Sequence, residues 1–197
     1  GAMRSCRWRR GRRRGRAGQG WREVTIAVEA GRFVEAAGNR PMDAAVPEHW
    51  RAAPPGTVIE TSPAVAATIF EIAGRLVSQS GAALIIDYGH ADGRAGSSIQ
   101  AVSGHRMVDW KAAPGEADIS AHVDFAAAAQ VAMSRGARWL GTVGQGAFLT
   151  ALGIDARTKA LAAIAPHHHA ALVAARDRLV EPDAMGSVFK VMGLVAP

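Results

Sequence analysis

A polar turn directly after an apolar run is the strongest chemical feature of the sequence. The five apolar residues 82–86 lead into Asp87, Tyr88, Gly89 and His90. Such a run predicts a strand that is buried on both faces, inside a parallel sheet covered by helices. Open α/β sheets bind ligands outside the carboxyl ends of their strands, so we expect the turn to line a reactive site. The same turn could instead do no more than end the strand.

A histidine and a carboxylate lie two residues apart further along the chain. On an extended segment, His122 and Asp124 would face the same side, where the carboxylate could orient the histidine as a general base. Alternatively, Asp124 only caps the helix that follows it, and His122 is a polar surface residue. The sequence leaves both interpretations open.

Further carboxylates lie in the long segment after the predicted strand. If this segment folds over the end of the strand, an acidic mouth would form from Asp87, Glu116, Asp118 and Asp124. Carboxylates pair bidentately with a guanidinium group. We therefore expect such a mouth to accept a cationic side chain such as arginine.

Three other polar features are weaker candidates. Gln145 opens a short helix and could orient a ligand, or it could satisfy a loop backbone. The histidine run 167–169 makes a poor metal site, because consecutive helical residues diverge by about 100°. The single cysteine, Cys6, excludes a disulfide within the chain and fits a reducing compartment. We predict no metal site, and the sequence has no phosphate-binding loop and no nucleophile elbow.

The positive charge of the chain is concentrated at its start. The net charge is +6, yet residues 1–16 hold eight arginines and no acid, which leaves 15 basic and 17 acidic residues elsewhere. We expect residues 1–20 to form a disordered arm, with the fold beginning near Trp21. A polybasic arm can bind phosphates. Nucleic-acid binding is nevertheless an unfavoured alternative, because no base-reading or stacking module follows the arm.

The apolar pattern predicts a mixed α/β domain over residues 21–197. No apolar run approaches the roughly 20 residues of a membrane span. A hairpin is predicted from Val24–Val28 and Arg32–Ala36. Residues 58–87 have the strand, helix, strand order of a parallel crossover, although the first strand could pair with the hairpin instead. Residues 91–120 are predicted to be a long loop with little regular structure, which would make them a functional lid or binding loop.

The remaining chain alternates between apolar helices and short strands. The helix at 156–165 is predicted to be capped by Asp155, and the final strand to lie at or near the sheet edge. The predicted helices are 63–80, 125–134, 144–153, 156–165 and 166–180, and the predicted strands are 137–142 and 187–195.

Eight short motifs in a fixed order make the chain recognisable from Trp21 onward. They are Glu60-Thr-Ser-Pro63, Ala82 to His90, Gln100 to His105, Pro114 to Asp118, Ala121 to Phe125, Gln145 to Leu149, Leu152-Gly-Ile154, and Met185-Gly186 before Phe189-Lys190. This series resembles the MidA-like methyltransferase family, which includes the mitochondrial arginine methyltransferase that assists assembly of respiratory complex I. One such motif is weak, whereas eight in order are specific.

The resemblance implies a class I S-adenosylmethionine-dependent methyltransferase with a Rossmann-like sheet of seven strands. Residues 82–87 would be its fifth strand, 137–142 the sixth and 187–195 the antiparallel seventh. The glycine-rich cofactor loop of the family would precede Trp21, where this sequence has only the arginine arm. We therefore expect the carboxyl-terminal half of the fold with an inserted hairpin, and with strands one to four absent. The fifth strand would then have an open edge that favours self-association, and cofactor binding would be weak.

The function implied by the resemblance is methyl transfer from S-adenosylmethionine to a protein arginine nitrogen. Alternatives are a non-catalytic binding or assembly protein that has lost the cofactor half, and the nucleic-acid binder already mentioned. The location would be the bacterial cytoplasm or, for an organellar protein, the mitochondrial matrix. The predicted catalytic residues are Asp87, His90, His122 and Asp124, and the predicted substrate-binding residues are Tyr88, Gly89, Asp118, Gln145 and Phe148; cofactor-binding residues are not assigned.

Overall fold

The computed structural model of the protein describes residues 6–10, 20–112 and 114–197, with the backbone alone at 6–10. The strands of these residues are β1 (Cys6–Arg10), β2 (Trp21–Glu29), β3 (Arg32–Pro41), β4 (Val58–Thr61), β5 (Ala82–His90), β6 (Gln100–Ser103), β7 (Arg106–Val108), β8 (Asp118–Ser120), β9 (Val123–Asp124), β10 (Arg138–Gly144) and β11 (Phe189–Val195). The helices are α1 (Glu48–Arg51), α2 (Pro63–Gln79), α3 (Phe125–Ser134), α4 (Gln145–Ala151), α5 (Ile154–Ile164), α6 (His169–Val180) and α7 (Met185–Val188).

The described residues form two compact units, each assembled from two stretches of chain. The first unit takes its residues from Gly1–Val65 and Arg94–His122, and the second from Ala66–Gly93 and Val123–Pro197. The first unit contains two sheets with short helical segments, and the second contains one sheet with the longer helices. Among the described residues, no helix combines the length and apolar character needed to cross a bilayer.

The main sheet of the first unit has the strand order β3-β2-β1-β4, and its strands are antiparallel. Strands β2 and β3 form the predicted hairpin, which is longer than the sequence pattern indicated. Its two turn residues, Ala30 and Gly31, have positive φ angles of 48° and 75°. Such a turn matches the twist of the strands that it joins.

Strand β1 lies where the sequence predicted a disordered arm. It pairs with β2 on one side and with β4 on the other. Both neighbours offer rows of backbone N–H and C=O groups, so hydrogen bonds order a segment whose composition favours disorder. The other residues of the arm, 1–5 and 11–19, lie outside the described residues. Most of the arginine charge on which the alternative of nucleic-acid binding depends lies in these residues too.

The predicted parallel crossover between β4 and β5 is wrong. Strand β4 joins the sheet of the hairpin through β1, whereas β5 belongs to the sheet of the second unit. The intervening helix α2 does begin as predicted, since the Ser62 hydroxyl accepts a hydrogen bond from the Val65 N–H at 3.3 Å. The order strand, helix, strand therefore predicted the elements correctly but not their pairing.

A small apolar core holds the irregular connection after the hairpin. Trp21, Val46 and Ile59 are buried together. Trp50 packs against this core. The Asp43 carboxylate also accepts a hydrogen bond from the backbone N–H of Trp21 at 3.0 Å, which anchors the segment to the start of β2.

Part of the predicted long loop is a second sheet in the first unit, with strand order β7-β6-β8. Gly104 and His105 form the turn between β6 and β7, with φ angles of 55° and 61°. The prediction of little regular structure was wrong here. The strands have only three or four residues each, which is too short for an alternating pattern to be recognised in the sequence.

The sheet of the second unit has the order β10-β11-β5-β9. Strand β11 is antiparallel to both neighbours, whereas the two-residue strand β9 is parallel to β5. The last strand therefore lies next to the edge strand β10, which agrees with its predicted place at or near the edge. Its antiparallel direction agrees with what the family resemblance implied.

Strand β5 is covered on only one face, so its predicted burial on both faces is wrong. Ala83 and Ile85 are half-buried, whereas Leu84 is 54% exposed and Ile86 is 48% exposed. Helix α3 packs against the sheet through contacts with β10, β11 and β5. On the side of β9, no described strand pairs with β5 before Gly89.

Helix starts follow local chemistry in one case and not in another. Asp124 caps α3, as predicted, by accepting a hydrogen bond from the Ala127 N–H at 3.0 Å. The predicted cap at Asp155 is wrong, because α5 begins at Ile154, two residues earlier than predicted, with Gly153 as its N-cap. Asp155 instead accepts a hydrogen bond from Arg176 on α6 at 2.8 Å. Hydrogen bonds to Asp177 and Asp155 hold the pKa of the Arg176 guanidinium above its usual value.

Two glycines allow the end of α6 to lie against its neighbours. A Cβ atom added at Gly186 would overlap the Val180 carbonyl oxygen and lie 2.8 Å from that of Glu181. A Cβ added at Gly146 would overlap the same Val180 oxygen. The obstacle in both cases is backbone, which cannot rotate away as a side chain can. The family motifs that contain these glycines therefore include a packing requirement.

Substitution of Gly186 by alanine should destabilise the protein by ~2 kcal/mol or more, because the backbone of α6 would have to move. Urea unfolding followed by circular dichroism measures this change. Gly193→Ala is the matched control, since a Cβ there would make only ordinary contacts with Leu140, the nearest at 3.5 Å. Equal losses in the two variants would show that backbone crowding is not the cause.

Candidate active site

Residues 87–90, the polar stretch predicted to be a reactive turn, are the last four residues of β5 in the second unit. Asp87 is half-buried, and its Oδ1 accepts a hydrogen bond from the Tyr88 N–H at 2.8 Å. The Tyr88 ring packs edge-on against Phe189 of β11, with ring centroids 5.8 Å apart. These contacts fix the carboxylate and the neighbouring ring at the end of the strand.

Gly89 allows strand β9 to come close to β5. A Cβ atom added at Gly89 would overlap the carbonyl oxygen of Val123 and lie 3.0 Å from the Phe125 ring. Gly89 is paired with Val123, and the next pair is His90 with Asp124. The glycine is thus required for the pairing that brings the latter two residues side by side.

His90 and Asp124 form a histidine–carboxylate pair. The His90 Nδ1 atom lies 2.6 Å from the Asp92 carbonyl oxygen and 4.0 Å from Asp124 Oδ1. A carbonyl oxygen can only accept, so the contact with Asp92 requires the proton on Nδ1 and leaves Nε2 as the basic atom of the neutral ring. The nearby carboxylate would stabilise the imidazolium that forms when Nε2 takes a proton.

Asp124 therefore has two roles, and both interpretations of the sequence contained part of the answer. It caps α3 through Oδ1, and the same oxygen faces His90. The partner predicted from the two-residue spacing was His122, whose backbone N–H donates to the Ser98 hydroxyl at 3.0 Å in the first unit. No local signal could have identified His90, because its proximity to Asp124 arises from the parallel pairing of two distant strands.

The other predicted site residues are distributed over both units. Asp118 lies in β8, where its backbone pairs with Val102 of β6. Gln145 is only 7% exposed, and its side-chain amide donates to the Leu179 carbonyl at 2.9 Å, which is the backbone role that the sequence left open. Phe148 is half-buried in α4. The structure brings His90 and Asp124 together, and Asp87, Tyr88 and Gly89 precede His90 in β5, whereas Asp118, Glu116 and His122 belong to the first unit.

Three described glycines near the ends of β5 and α6 serve close packing, and the described residues form no cluster for a metal. Glycines of a cofactor loop leave space for the ligand, but Gly89, Gly146 and Gly186 face carbonyl oxygens of the chain itself. Within the described ranges, no group of three His, Cys, Asp or Glu side chains is arranged to hold a metal ion. The site at the end of β5 consequently offers acid–base groups and a carboxylate, which are the groups needed to receive a cationic substrate.

Comparison with known proteins assigns the chain to a family. The family described as "Putative S-adenosyl-L-methionine-dependent methyltransferase" matches residues 12–143. The chain belongs to this family. The predicted resemblance to MidA-like methyltransferases is thereby confirmed.

The relatives of this methyltransferase-family chain are longer than the chain. The mouse mitochondrial protein arginine methyltransferase NDUFAF7 is 36% identical over 184 residues, which are 90% of this chain and 41% of the relative. Its human counterpart is 33% identical over 184 residues, with 90% and 40% covered. A Burkholderia thailandensis protein solved with S-adenosyl-homocysteine bound has a TM-score of 0.79 and 27% identity, and the match covers 98% of this chain and 50% of that one. The chain thus spans two fifths to one half of these proteins.

Two substitutions separate the capping role of Asp124 from its charge. Asp124→Ala should destabilise the protein by ~1 kcal/mol, because the Ala127 N–H loses its acceptor. Asp124→Asn keeps an oxygen at the same place, so it should change stability by only a few tenths of that value. Urea midpoints of the two variants measure the difference. A large loss in the asparagine variant would mean that the charge beside His90, rather than the cap, stabilises the fold.

Proposed function

We propose that this chain carries the acceptor side of an S-adenosylmethionine-dependent methyltransferase that acts on arginine side chains of proteins. The observation that carries the proposal is the His90–Asp124 pair at the carboxyl end of β5, the strand that also contains Asp87. The names of the curated relatives give the same activity, protein arginine methyl transfer, for those proteins.

Each of the three side chains has a distinct role in the proposal. Asp87 binds the guanidinium group, since carboxylates suit its planar array of donors. His90 Nε2 takes the proton that the arginine nitrogen must lose when it becomes methylated. Asp124 stabilises the resulting imidazolium. The cofactor of the family supplies a methyl group on an already reactive sulfonium, so correct placement of the acceptor provides much of the rate.

The other predicted residues have supporting roles in this proposal. Tyr88 lies beside Asp87 and offers an aromatic surface to a cationic substrate. Gly89 supports the site by allowing β9 to pair with β5. Gln145 supports it through the hydrogen bond of its side-chain amide to the backbone near the end of α6. Asp118, His122 and Phe148 remain predicted site residues, with His122 among the catalytic ones, while His90 is the residue proposed to take the proton.

The cofactor is proposed to bind in the part of the relatives that this chain does not cover. One observation supports this division: the chain matches half of a neighbour solved with S-adenosyl-homocysteine. The same observation favours a second candidate, a non-catalytic assembly protein that keeps only the acceptor half. The curated relatives are mitochondrial, so an organellar form of this chain would work in the matrix.

The test is methyl transfer by the chain after it is mixed with the separately expressed complementary part of the Burkholderia neighbour. With methyl-labelled S-adenosylmethionine and an arginine-rich acceptor protein, mass spectrometry should detect methylated arginine. His90→Ala and Asp124→Asn should each lower the rate by ~10²-fold or more, as expected for loss of acid–base catalysis. Asp92→Asn is the matched control, because it keeps the backbone carbonyl that orients His90 and should retain the rate.

The outcomes separate the candidates. A mixed complex that binds S-adenosyl-homocysteine but methylates no arginine would favour the assembly protein. Micromolar binding of S-adenosylmethionine by this chain alone, measured by calorimetric titration, would overturn the proposed division of labour.

The exposed side of β5 predicts self-association of the isolated chain. Leu84 and Ile86 project from a strand whose edge has no described partner before Gly89. A lysine on such a strand opposes pairing with a second copy. Ile86→Lys should therefore weaken association by about tenfold or more in sedimentation velocity, whereas Met133→Lys, on the exposed face of α3, should not. A wild-type chain that is monomeric at high concentration would contradict this prediction.

A further inference from the structure

One carboxylate in the first unit binds two consecutive serines of the loop that precedes β6. Glu60 lies in β4, and its Oε1 accepts a hydrogen bond from the Ser97 hydroxyl at 2.9 Å. Its Oε2 accepts from the Ser98 N–H at 2.9 Å and also from the Ser98 hydroxyl. Ser98 is only 6% exposed, so its two bonds to Glu60 are partly shielded from water, whereas the bond of Ser97 is exposed. Buried polar groups of this kind are costly to leave unsatisfied.

The Ser98 hydroxyl connects the carboxylate to a residue predicted to be catalytic. It accepts a hydrogen bond from the backbone N–H of His122 at 3.0 Å. A hydroxyl has one proton, and a carboxylate can only accept, so the Ser98 proton points to Glu60 and its lone pair faces His122. The chain of donors therefore runs in one direction, from His122 through Ser98 to Glu60, and each bond polarises the next.

This arrangement joins both ends of a long segment at a single point. Residues 97–98 precede β6, and His122 follows β8, so the three-stranded sheet of β6, β7 and β8 lies between the two attachments. A further backbone bond, from the Gly96 N–H to the Val58 carbonyl at 2.8 Å, fastens the first end to β4. The segment is therefore ordered at its base before any ligand binds.

We propose that Glu60 and Ser98 are positioning residues that fix the backbone of His122. This inference rests on the proposed function only for its effect on methyl transfer. Without the Ser98 hydroxyl, the His122 N–H loses its acceptor and the segment end becomes mobile, so the imidazole occupies its working orientation less often. If Glu60 and the two serines served only to attach the loop to β4, the hydrogen bond from the His122 N–H to the Ser98 hydroxyl would not be needed.

The first experiment uses the full chain and needs no methyl transfer. Backbone amide exchange of His122, measured by NMR, should become about tenfold faster in Ser98→Ala, because one hydrogen bond is lost. Ser98→Thr keeps the hydroxyl and should restore the wild-type rate. Ser97→Ala is the matched control: it removes a hydrogen bond to the same carboxylate without touching His122. Glu60→Gln should raise the exchange rate as well, since one of the two accepting oxygens becomes a donor group.

The outcomes decide the proposal directly. It is overturned if His122 exchange in Ser98→Ala stays within twofold of the wild type, or if Ser97→Ala accelerates it equally. It is also overturned if all amides of the first unit accelerate together, because that pattern indicates global destabilisation. If Ser98→Ala does not fold, the comparison of Ser98→Thr, Glu60→Gln and Ser97→Ala supplies the same decision.

The second experiment measures the catalytic consequence in the mixed methyltransferase complex. Ser98→Ala should lower kcat by about tenfold and leave KM for the acceptor unchanged, and Ser98→Thr should recover kcat. If wild-type methyl transfer is absent while the exchange result holds, the proposed function fails and the positioning of His122 stands. If methyl transfer is present and Ser98→Ala has wild-type kcat, the positioning role in catalysis is refuted.

Discussion

The parallel pairing of β9 with the end of β5 is the constraint on which the candidate site depends. Only two residue pairs form it, yet it places Asp124 beside His90 and starts α3 at the sheet. Gly89 makes the pairing possible, because any side chain there would meet the Val123 carbonyl. A short backbone contact thus determines both the packing of a helix on the sheet and the position of a carboxylate next to a base.

Sequence reasoning succeeded where the cause was local. The hydroxyl cap at Ser62, the carboxylate cap at Asp124 and the glycine turn of the first hairpin depend on neighbouring residues, and all are present. It failed where the cause was pairing between distant segments. The absence of a parallel crossover between β4 and β5 and the pairing of Cys6–Arg10 with β2 and β4 follow from which edges meet, and a single sequence carries little information about that. The same limit explains why His122 was expected beside Asp124 when His90 lies there.

The motifs that identify the family combine structural and chemical requirements. Gly146 and Gly186 lie against the end of α6, and Gln145 donates its amide to the carbonyl of Leu179. The Glu60 carboxylate of β4 accepts a hydrogen bond from the backbone N–H of Ser98, in the loop before β6. A motif therefore marks a place where the fold tolerates few residue types, and only its side-chain contacts can say whether chemistry is the reason. After the packing roles are assigned, Asp87, His90 and Asp124 are the polar groups at the end of β5 whose arrangement suits proton transfer.

The orientation of these three groups is set by bonds within the second unit. Asp87 is held by the Tyr88 N–H, His90 by the Asp92 carbonyl, and Asp124 by the first turn of α3. These bonds join groups of the chain itself, so the geometry proposed for the acceptor site does not depend on the methyl donor. Such independence matters for methyl transfer, because the donor is intrinsically reactive and selectivity must come from how the acceptor is held. Preformed hydrogen bonds around the acceptor reduce the reorganisation needed at the moment of reaction, which is the principal way a protein accelerates a step whose reagents are already competent.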